Sequence, residues 1–287
     1  ERFTPECVRE IWYEHVHRYA FAAPLCAGQR VLDAASGEGY GSALLAQQAA
    51  SVAGVDVSGT AVQHARARYG TVSNLAFHEA DCTRLPFDDD SFDRVVSFET
   101  LEHVHEQEAM LAEFRRVLRP DGFALISSPD KAVYTDKQGN DNEFHVSELY
   151  RDELEALLSR HFPGYRLYGQ KLLFHSAIWN LDKTRTVALQ DSVEGNVVKR
   201  TAMQRDAMYF IAVCAADAAL LPQLDSDLWL FDDPAESVYA HYHGEIRRNM
   251  AAGGIIRERD EEIERLREAL AAERRPGSWF ARLLGRR

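Results

Sequence analysis

The sequence is short of cysteine, of basic charge and of long apolar runs, and each shortage removes a class of protein. Its four cysteines, Cys7, Cys26, Cys82 and Cys214, lie far apart along 287 residues. They make no CxxC pair and no finger-like spacing, so they read as free thiols of a reducing cytosol rather than a disulfide frame or zinc module. Lys and Arg total 33 against 45 Asp and Glu, a formal charge of −12. That balance excludes a nucleic-acid partner, because phosphate backbones need clustered basic residues. No apolar stretch approaches the roughly 20 residues of a membrane span. The chain begins at Glu1 rather than Met, which leaves open a leader removed upstream.

What is present is a globular composition, 46% hydrophobic and 27% charged, long enough for one well-buried α/β domain with an appendage. Residues 6–23 predict a helix, with Trp12, Val16 and Tyr19 at helical spacing. Strands are expected at Arg30–Ala34, Val52–Asp56, Leu75–Glu79, Arg94–Phe98 and Phe123–Ser127. Helices are expected at Tyr40–Ala50, Thr60–Tyr69 and Gln107–Leu118, the last stopped by Pro120-Asp121-Gly122. Such alternation implies a parallel sheet covered on both faces, with a ligand at the carboxyl ends of its strands. A polar loop follows over 128–143, then a helix at Leu149–Leu158 and closing strands at Tyr165–Phe174 and Ala207–Ala215. Residues 176–206 between those strands read as an insertion or lid.

The end of the chain changes character. Residues 221–250 read as a linker or helical region. Beyond it, Ile256, Ile263 and Leu270 repeat at sevens with Leu266 between them, the pattern of a short coiled coil or of a solvated helix. The last stretch, 274–287, carries Arg274, Arg275, Arg282, Arg286 and Arg287 and no acid. Trp279, Phe280, Leu283 and Leu284 share one helical face there, as in a helix lying on a membrane or a partner; a frayed tail is the alternative.

The most informative stretch is "VLDAASGEGYG", Val31 to Gly41. Small residues let a ligand approach the backbone. Dinucleotide folds use G-x-G-x-x-G, with the pyrophosphate on a helix N-terminus. Here the spacing is Gly37-x-Gly39-x-Gly41, and Glu38 inside the loop would repel a phosphate. A cationic ligand reverses the sign. S-adenosylmethionine (SAM) carries a sulfonium and an ammonium and no phosphate, so carboxylates favour it.

This segment resembles motif I of the class I SAM-dependent methyltransferases, with Ala35 in place of the usual first glycine, a change that narrows the loop slightly. Three more blocks agree in order: "VAGVDVS", "HEADCTRLPFDDDSFDRVVSF" and "FRRVLRPDGFALISSP". The resemblance implies a Rossmann-like fold over residues 1–220, a mostly parallel seven-stranded sheet with helices on both faces, plus the C-terminal helical extension. It implies SAM as cofactor, held by Asp33, Ala35, Ser36, Gly37, Gly39, Asp56, Val57, Asp81, Cys82 and Phe98. Asp56 would hold the ribose hydroxyls and Asp81 would accept from the adenine amino group; the competing reading makes Asp33 and Asp56 helix caps. Upstream, "YEHVHRYAFAAPL" is similar to the helix before motif I in methyltransferases of bacterial polysaccharide and O-antigen gene clusters. There it implies that Arg18 and Tyr19 close over the methionine end, an Arg fork suiting a carboxylate. Tyr19 as plain core is the alternative.

Methyl transfer is an in-line displacement, and a hydroxyl acceptor also needs a group to take its proton. "SFETLEHVHE" brings Glu99, Glu102, His103 and His105 to the ligand side, and "NDNEFHVSELY" adds Asn142 and His145. The candidate catalytic residues are His103, His145 and Glu99, since an imidazole of pKa near ~6.5 suits a base at neutral pH. The bland readings have His103 holding the loop, Glu102 hydrogen-bonded, His105 at the surface and Ser147 capping the next helix. Tyr134 and Tyr168 would stack on a ring or pack in the core. Glu99-x-x-Glu102-His103 also resembles a pattern that holds a divalent cation such as Mg²⁺ in ubiquinone-type O-methyltransferases, but no metal ligand is assigned. The expectation is an O-methyltransferase of a glycan or sugar-containing acceptor, cytoplasmic or at the inner membrane face, and a homo-oligomer through the coiled coil. The alternatives are a small aromatic or quinone-like acceptor, a non-catalytic SAM-binding scaffold of polysaccharide synthesis, and an NAD(P) oxidoreductase.

Overall fold

A computed structural model describes residues 10–140, 142–173, 189–193, 196–203, 205–232 and 236–273. The basic stretch 274–287, Cys7 and residues 176–188 of the expected lid lie outside the described residues. The chain divides into two compact units, Glu1–Phe231 and Asp232–Arg287.

The first unit opens with helix α1 (Glu10–Ala22), then strand β1 (Arg30–Ala34), helix α2 (Tyr40–Ala46), β2 (Ser51–Asp56), α3 (Gly59–Tyr69), β3 (Leu75–Glu79) and β4 (Phe92–Ser97). It continues with α4 (Gln107–Val117), β5 (Leu118–Pro129), α5 (Arg151–His161), β6 (Gly164–Gln170), a separate hairpin of β7 (Leu189–Val193) and β8 (Asn196–Arg200), and β9 (Tyr209–Ala215). The sheet order is β3-β2-β1-β4-β5-β9-β6, parallel up to β5, with β9 antiparallel to both its neighbours. Central strands are buried on both faces, as in β1, where Val31 to Ala34 are all buried, so they read as continuous apolar runs.

Two apolar layers clamp this sheet. Tyr19, Leu45 and Val62 from α1, α2 and α3 pack on one face. Met110, Leu111 and Phe114 of α4, with Leu154 and Leu158 of α5, pack on the other. Their spacing of three and four residues puts these side chains on single helical stripes. Among the described residues Cys26, Cys82 and Cys214 are free and buried. The order reverses between β1 and β4, and there a doubly wound sheet opens a crevice at its carboxyl edge.

Three local expectations need correction. Helix α2 ends at Ala46 instead of Ala50, because the chain turns to bring the Ala50 and Ser51 amides onto the Gln29 carbonyl. Pro120-Asp121-Gly122 lies inside β5 as an exposed irregularity, opposite a register shift between Phe92 and Arg94, rather than as a separate turn. The loop expected over 128–143 contains a wide helical turn, Ala132–Lys137.

The second unit contains a 37-residue helix, α6 (Ser237–Glu273), longer than the heptad pattern alone marks. Ile256, Ile263, Leu266 and Leu270 are exposed along it. No helix among the described residues is long and apolar enough to cross a membrane.

Candidate active site

The loop after β1 turns through left-handed backbone at Ala35, with φ of 61°. Alanine adopts this glycine-like conformation at a cost of about 1 kcal/mol. Gly39 (φ of 83°) and Gly41 are fixed by packing: a Cβ would lie 2.5 Å from the Phe77 ring at Gly39 and 2.0 Å from the Tyr19 ring at Gly41. At Gly37, by contrast, a Cβ would meet nothing within 4 Å.

The acids around the loop are tied to it. The Gly37 amide donates to Asp56 Oδ2 at 2.9 Å and the Ser58 amide to Oδ1 at 2.8 Å. Ser58, not Asp56, caps α3, its hydroxyl accepting from the Ala61 amide. Asp33 is wholly buried and accepts from Tyr19 Oη at 3.1 Å and Ser42 Oγ at 2.6 Å. It does not cap α2, whose N-cap is Gly39. Burial pushes the Asp33 carboxyl up to about 6, partly offset by its two hydroxyl donors. Glu38 faces His64 Nδ1 at 2.8 Å, so its carboxylate is turned toward α3 rather than standing alone in the loop.

Around this frame stand groups a ligand can use. Arg18 Nη1 and Nη2, Ser36 Oγ and Ser97 Oγ are buried without hydrogen-bond partners. Val57, next to Asp56, is 71% exposed. Asp81 is exposed and accepts from the amide and hydroxyl of Thr83 at 2.8 Å each. Cys82 is buried, which pushes its thiol up to about 12 and makes it a packing residue. Phe98 is buried edge-on against Tyr19, at 5.1 Å between ring centres. This set fits SAM: a guanidinium edge for a carboxylate, an acid for vicinal hydroxyls, and an apolar side chain for a purine face.

The turn after β4 is the second part of the site. Glu99 has φ of 52°, strained for a non-glycine residue. Ser127, at the end of β5, holds it twice: its Oγ accepts from the Glu99 amide at 2.9 Å and donates to Oε1 at 2.6 Å. Glu99 Oε2 lies 3.5 Å from Arg18 Nη2. Arg18, 1% exposed, donates from Nε to Gln170 at 2.7 Å and lies 4.4 Å over the Tyr209 ring. The strand register explains the meeting, since Gln170, Tyr209 and Pro129 sit side by side at one sheet edge.

Next comes the tight turn Leu101–His103. Glu102 is fully buried, and neither carboxylate oxygen has a hydrogen-bond partner, contrary to the hydrogen-bonded role expected for it. Burial, reinforced by the Glu99 charge, pushes its pKa well above the carboxylate range. Its backbone carbonyl, instead, accepts from the Val146 and Ser147 amides at 2.8 and 3.1 Å and docks the 142–148 loop. His103 Nδ1 meets the Phe144 carbonyl at 2.8 Å, which fixes the proton on that nitrogen. Lost hydration is the largest influence on His103 and holds its pKa below the usual 6.5.

His145 Nδ1 lies 2.5 Å from Glu148, which also accepts from Thr135 Oγ. The two imidazoles stand 4.9 Å apart, and Tyr134 stacks on His145. The structure thus brings His103 and His145 together and assigns Glu99 to Arg18 and Ser127. Asn142 shapes the loop, accepting from the Phe144 and His145 amides. Ser147 does not cap α5: Tyr150 holds that position, and its amide donates to Glu153 at 3.0 Å. Tyr168 packs between Phe21 and Trp229, and His105 is exposed.

Sequence reasoning missed Ser127, Gln170, Tyr209 and Glu148. Ser127 had a signal, because it ends the strand expected beside the one leading to Glu99; the other three had none. Nearby, a cavity of about 570 Å³ is lined by the rings of Tyr13, His17, Phe21, Tyr168, Trp229 and Phe231 and reaches Gln170.

Residues 32–126 match the family model of a methyltransferase domain. A "probable S-adenosylmethionine-dependent methyltransferase" of Mycobacterium tuberculosis is 39% identical over 163 residues, 55% of this chain and 58% of that protein. The chain therefore spans little more than half the length of that relative. A similarly described protein of Mycolicibacterium smegmatis is 37% identical over 182 residues, 62% of this chain and 68% of its own. The demethylmenaquinone methyltransferase of Beutenbergia cavernae is 41% identical over 191 residues, 58% of this chain and 78% of its own. Among solved structures, a SAM-dependent methyltransferase of Thermotoga maritima has a TM-score of 0.50 at 15% identity, covering 72% of this chain and 91% of that one, which speaks for the fold. By these likenesses, and by the sheet and loop that underlie them, the chain belongs to the SAM-dependent methyltransferases.

Proposed function

We propose that the chain transfers a methyl group from SAM to a hydroxyl of a glycan or sugar-containing acceptor. The observation that carries this reading is the pair of imidazoles at the turn after β4, 4.9 Å apart, each with Nδ1 taken by an oxygen acceptor. That arrangement leaves Nε2 of a neutral ring as a proton acceptor, and the lowered pKa keeps His103 neutral at pH 7. When bound, SAM supplies an electrophilic methyl on a positive sulfur. Arg18 presents Nη1, which has no hydrogen-bond partner, to the methionine carboxylate, and Asp56 takes the ribose hydroxyls. Val57, Asp81 and Cys82 border the purine. His103 removes the hydroxyl proton, with His145 as the alternative base, while Glu99 and Tyr209 keep Arg18 in place. Most of the rate then comes from alignment and exclusion of water.

The ring-lined cavity supports an acceptor that stacks on aromatic side chains, as sugars do. A second reading, a small aromatic or quinone-like acceptor, is favoured by the likeness to the protein named demethylmenaquinone methyltransferase. The heptad positions of α6 and the basic stretch 274–287 support, from sequence, self-association and a place at the inner face of the membrane. Calorimetric titration with SAM and NAD, then incubation of labelled SAM with glycan and quinol acceptors, tests the proposal. SAM binding with label transferred to the glycan is expected. Binding of NAD alone sinks the cofactor reading, and label on the quinol alone sinks the glycan reading.

A further inference from the structure

We propose that Glu102, His103 and His145 form a binding site for one borderline divalent metal ion of the Zn²⁺ class. One ligand atom from each of the three lies within 4.8 Å of the other two. That spacing suits three ligands around one ion with bonds of roughly 2.0–2.2 Å.

Three independent features point the same way. Glu102 is 0% exposed and both its oxygens lack a hydrogen bond. A carboxylate so placed requires a proton or a cation, because isolated buried charge is among the costliest arrangements in a protein. Each imidazole is also backed as metal-bound imidazoles are. Nδ1 of His103 is held by a carbonyl at 2.8 Å, and Nδ1 of His145 by the Glu148 carboxylate at 2.5 Å, itself fixed by Thr135. Such partners set the tautomer and aim Nε2. Finally, the set is fixed by backbone: Glu102 and His103 share a tight turn, and the loop carrying His145 is pinned to the Glu102 carbonyl by two amides.

The identity of the ion follows from the donors. The acidic pattern legible in sequence, Glu99-x-x-Glu102-His103, suits Mg²⁺, but Glu99 is engaged by Ser127 and Arg18. What remains is two imidazoles and one carboxylate, a set that favours Zn²⁺ over the oxygen-seeking Mg²⁺. Three protein ligands leave a fourth position for an oxygen, which the acceptor hydroxyl would take; with the ion bound, Nε2 of both rings is occupied, and the ion, in place of His103, acidifies the hydroxyl so that its proton passes to solvent. That role rests on the methyl-transfer reading, whereas ion binding does not.

The test uses the full chain, stripped with chelator and titrated calorimetrically with ZnCl₂ at pH 7.5, with SAM titrated into the same preparations. One Zn²⁺ per chain is expected. Affinity should fall by about tenfold or more in Glu102→Gln, His103→Ala and His145→Ala, and comparably in Glu148→Gln, while SAM affinity persists. His161→Ala, whose ring pairs with Glu108 at the surface, should bind Zn²⁺ as the unaltered chain does. Replacing Zn²⁺ by Co²⁺ should give visible d–d absorption that shifts in His145→Ala. Absence of one-to-one binding by the unaltered chain overturns the proposal, as does equal Zn²⁺ affinity in Glu102→Gln and His145→Ala. Loss of SAM binding with Zn²⁺ binding intact would overturn the methyltransferase reading instead.

Discussion

The glycine loop and the turn after β4 share one sheet edge but hold their buried carboxylates in opposite ways. Around the loop, Asp33 and Asp56 have both oxygens occupied by short hydrogen bonds from hydroxyls or amides. Around the turn, Glu102 is buried without a partner, Arg18 keeps two nitrogens without hydrogen bonds, and Glu99 sits in strained backbone. One half is finished in the sense that the fold itself satisfies its buried carboxylates. The other keeps buried polar atoms without hydrogen bonds, an arrangement that enzymes concentrate at functional sites.

The contrast can be broken most forcefully at Arg18. Arg18→Met leaves Glu99 beside an apolar chain and Gln170 without its donor, so stability should fall by about 3 kcal/mol or more in urea unfolding. A loss below about 1 kcal/mol would mean that the buried charges of the turn are not interdependent. Asp56→Ala probes the finished half. It frees two loop amides and should weaken SAM binding on the order of 100-fold by calorimetry, with the helical signal in circular dichroism unchanged. Undiminished affinity would place the nucleoside elsewhere.

Asp33 gives a pH signature. Its folded pKa is raised from 3.8 to about 6, so between those values the folded chain keeps a proton that the unfolded chain has released. Its contribution to stability is therefore full below pH 3.8 and is lost as pH rises through about 6, by an amount on the order of 2–3 kcal/mol. Subtracting the urea stability of Asp33→Asn from that of the unaltered chain across this range should reveal the fall; a flat difference contradicts it. The smallest effect is at Ala35. Ala35→Gly removes left-handed strain but loosens the unfolded chain, for a net gain of about 0.5 kcal/mol and a slight rise in Tm. A clear loss would show that the methyl group packs usefully.

The same division decides what the sequence discloses. Val31 to Gly41 and Asp56 lie on adjacent strands joined by one helix, and their spacing is dictated by local backbone, so a linear reading finds them. Alternation of apolar strands and helices likewise gives the seven-stranded sheet, with strand ends within a few residues. The turn half is written in pairs far apart along the chain: Arg18 with Gln170, Glu99 with Ser127, Glu102 with Val146. Nothing near Glu102 reveals that its carbonyl, not its carboxylate, receives the loop. The candidate bases His103 and His145 were legible singly, but their juxtaposition was not.

The guanidinium of Arg18 bridges residues 152 positions apart, joining the first described helix to the outermost strand of the sheet. Its partners line up only after β9 has inserted between β5 and β6, a non-local pairing whose chain-closure entropy delays it. The glycine-loop side, built from neighbouring segments, can accordingly assemble early, while the surroundings of Arg18 are completed later. A ribosome-bound nascent chain lacking β9 would already carry a glycine loop, but Arg18 would still lack the Tyr209 ring beneath it.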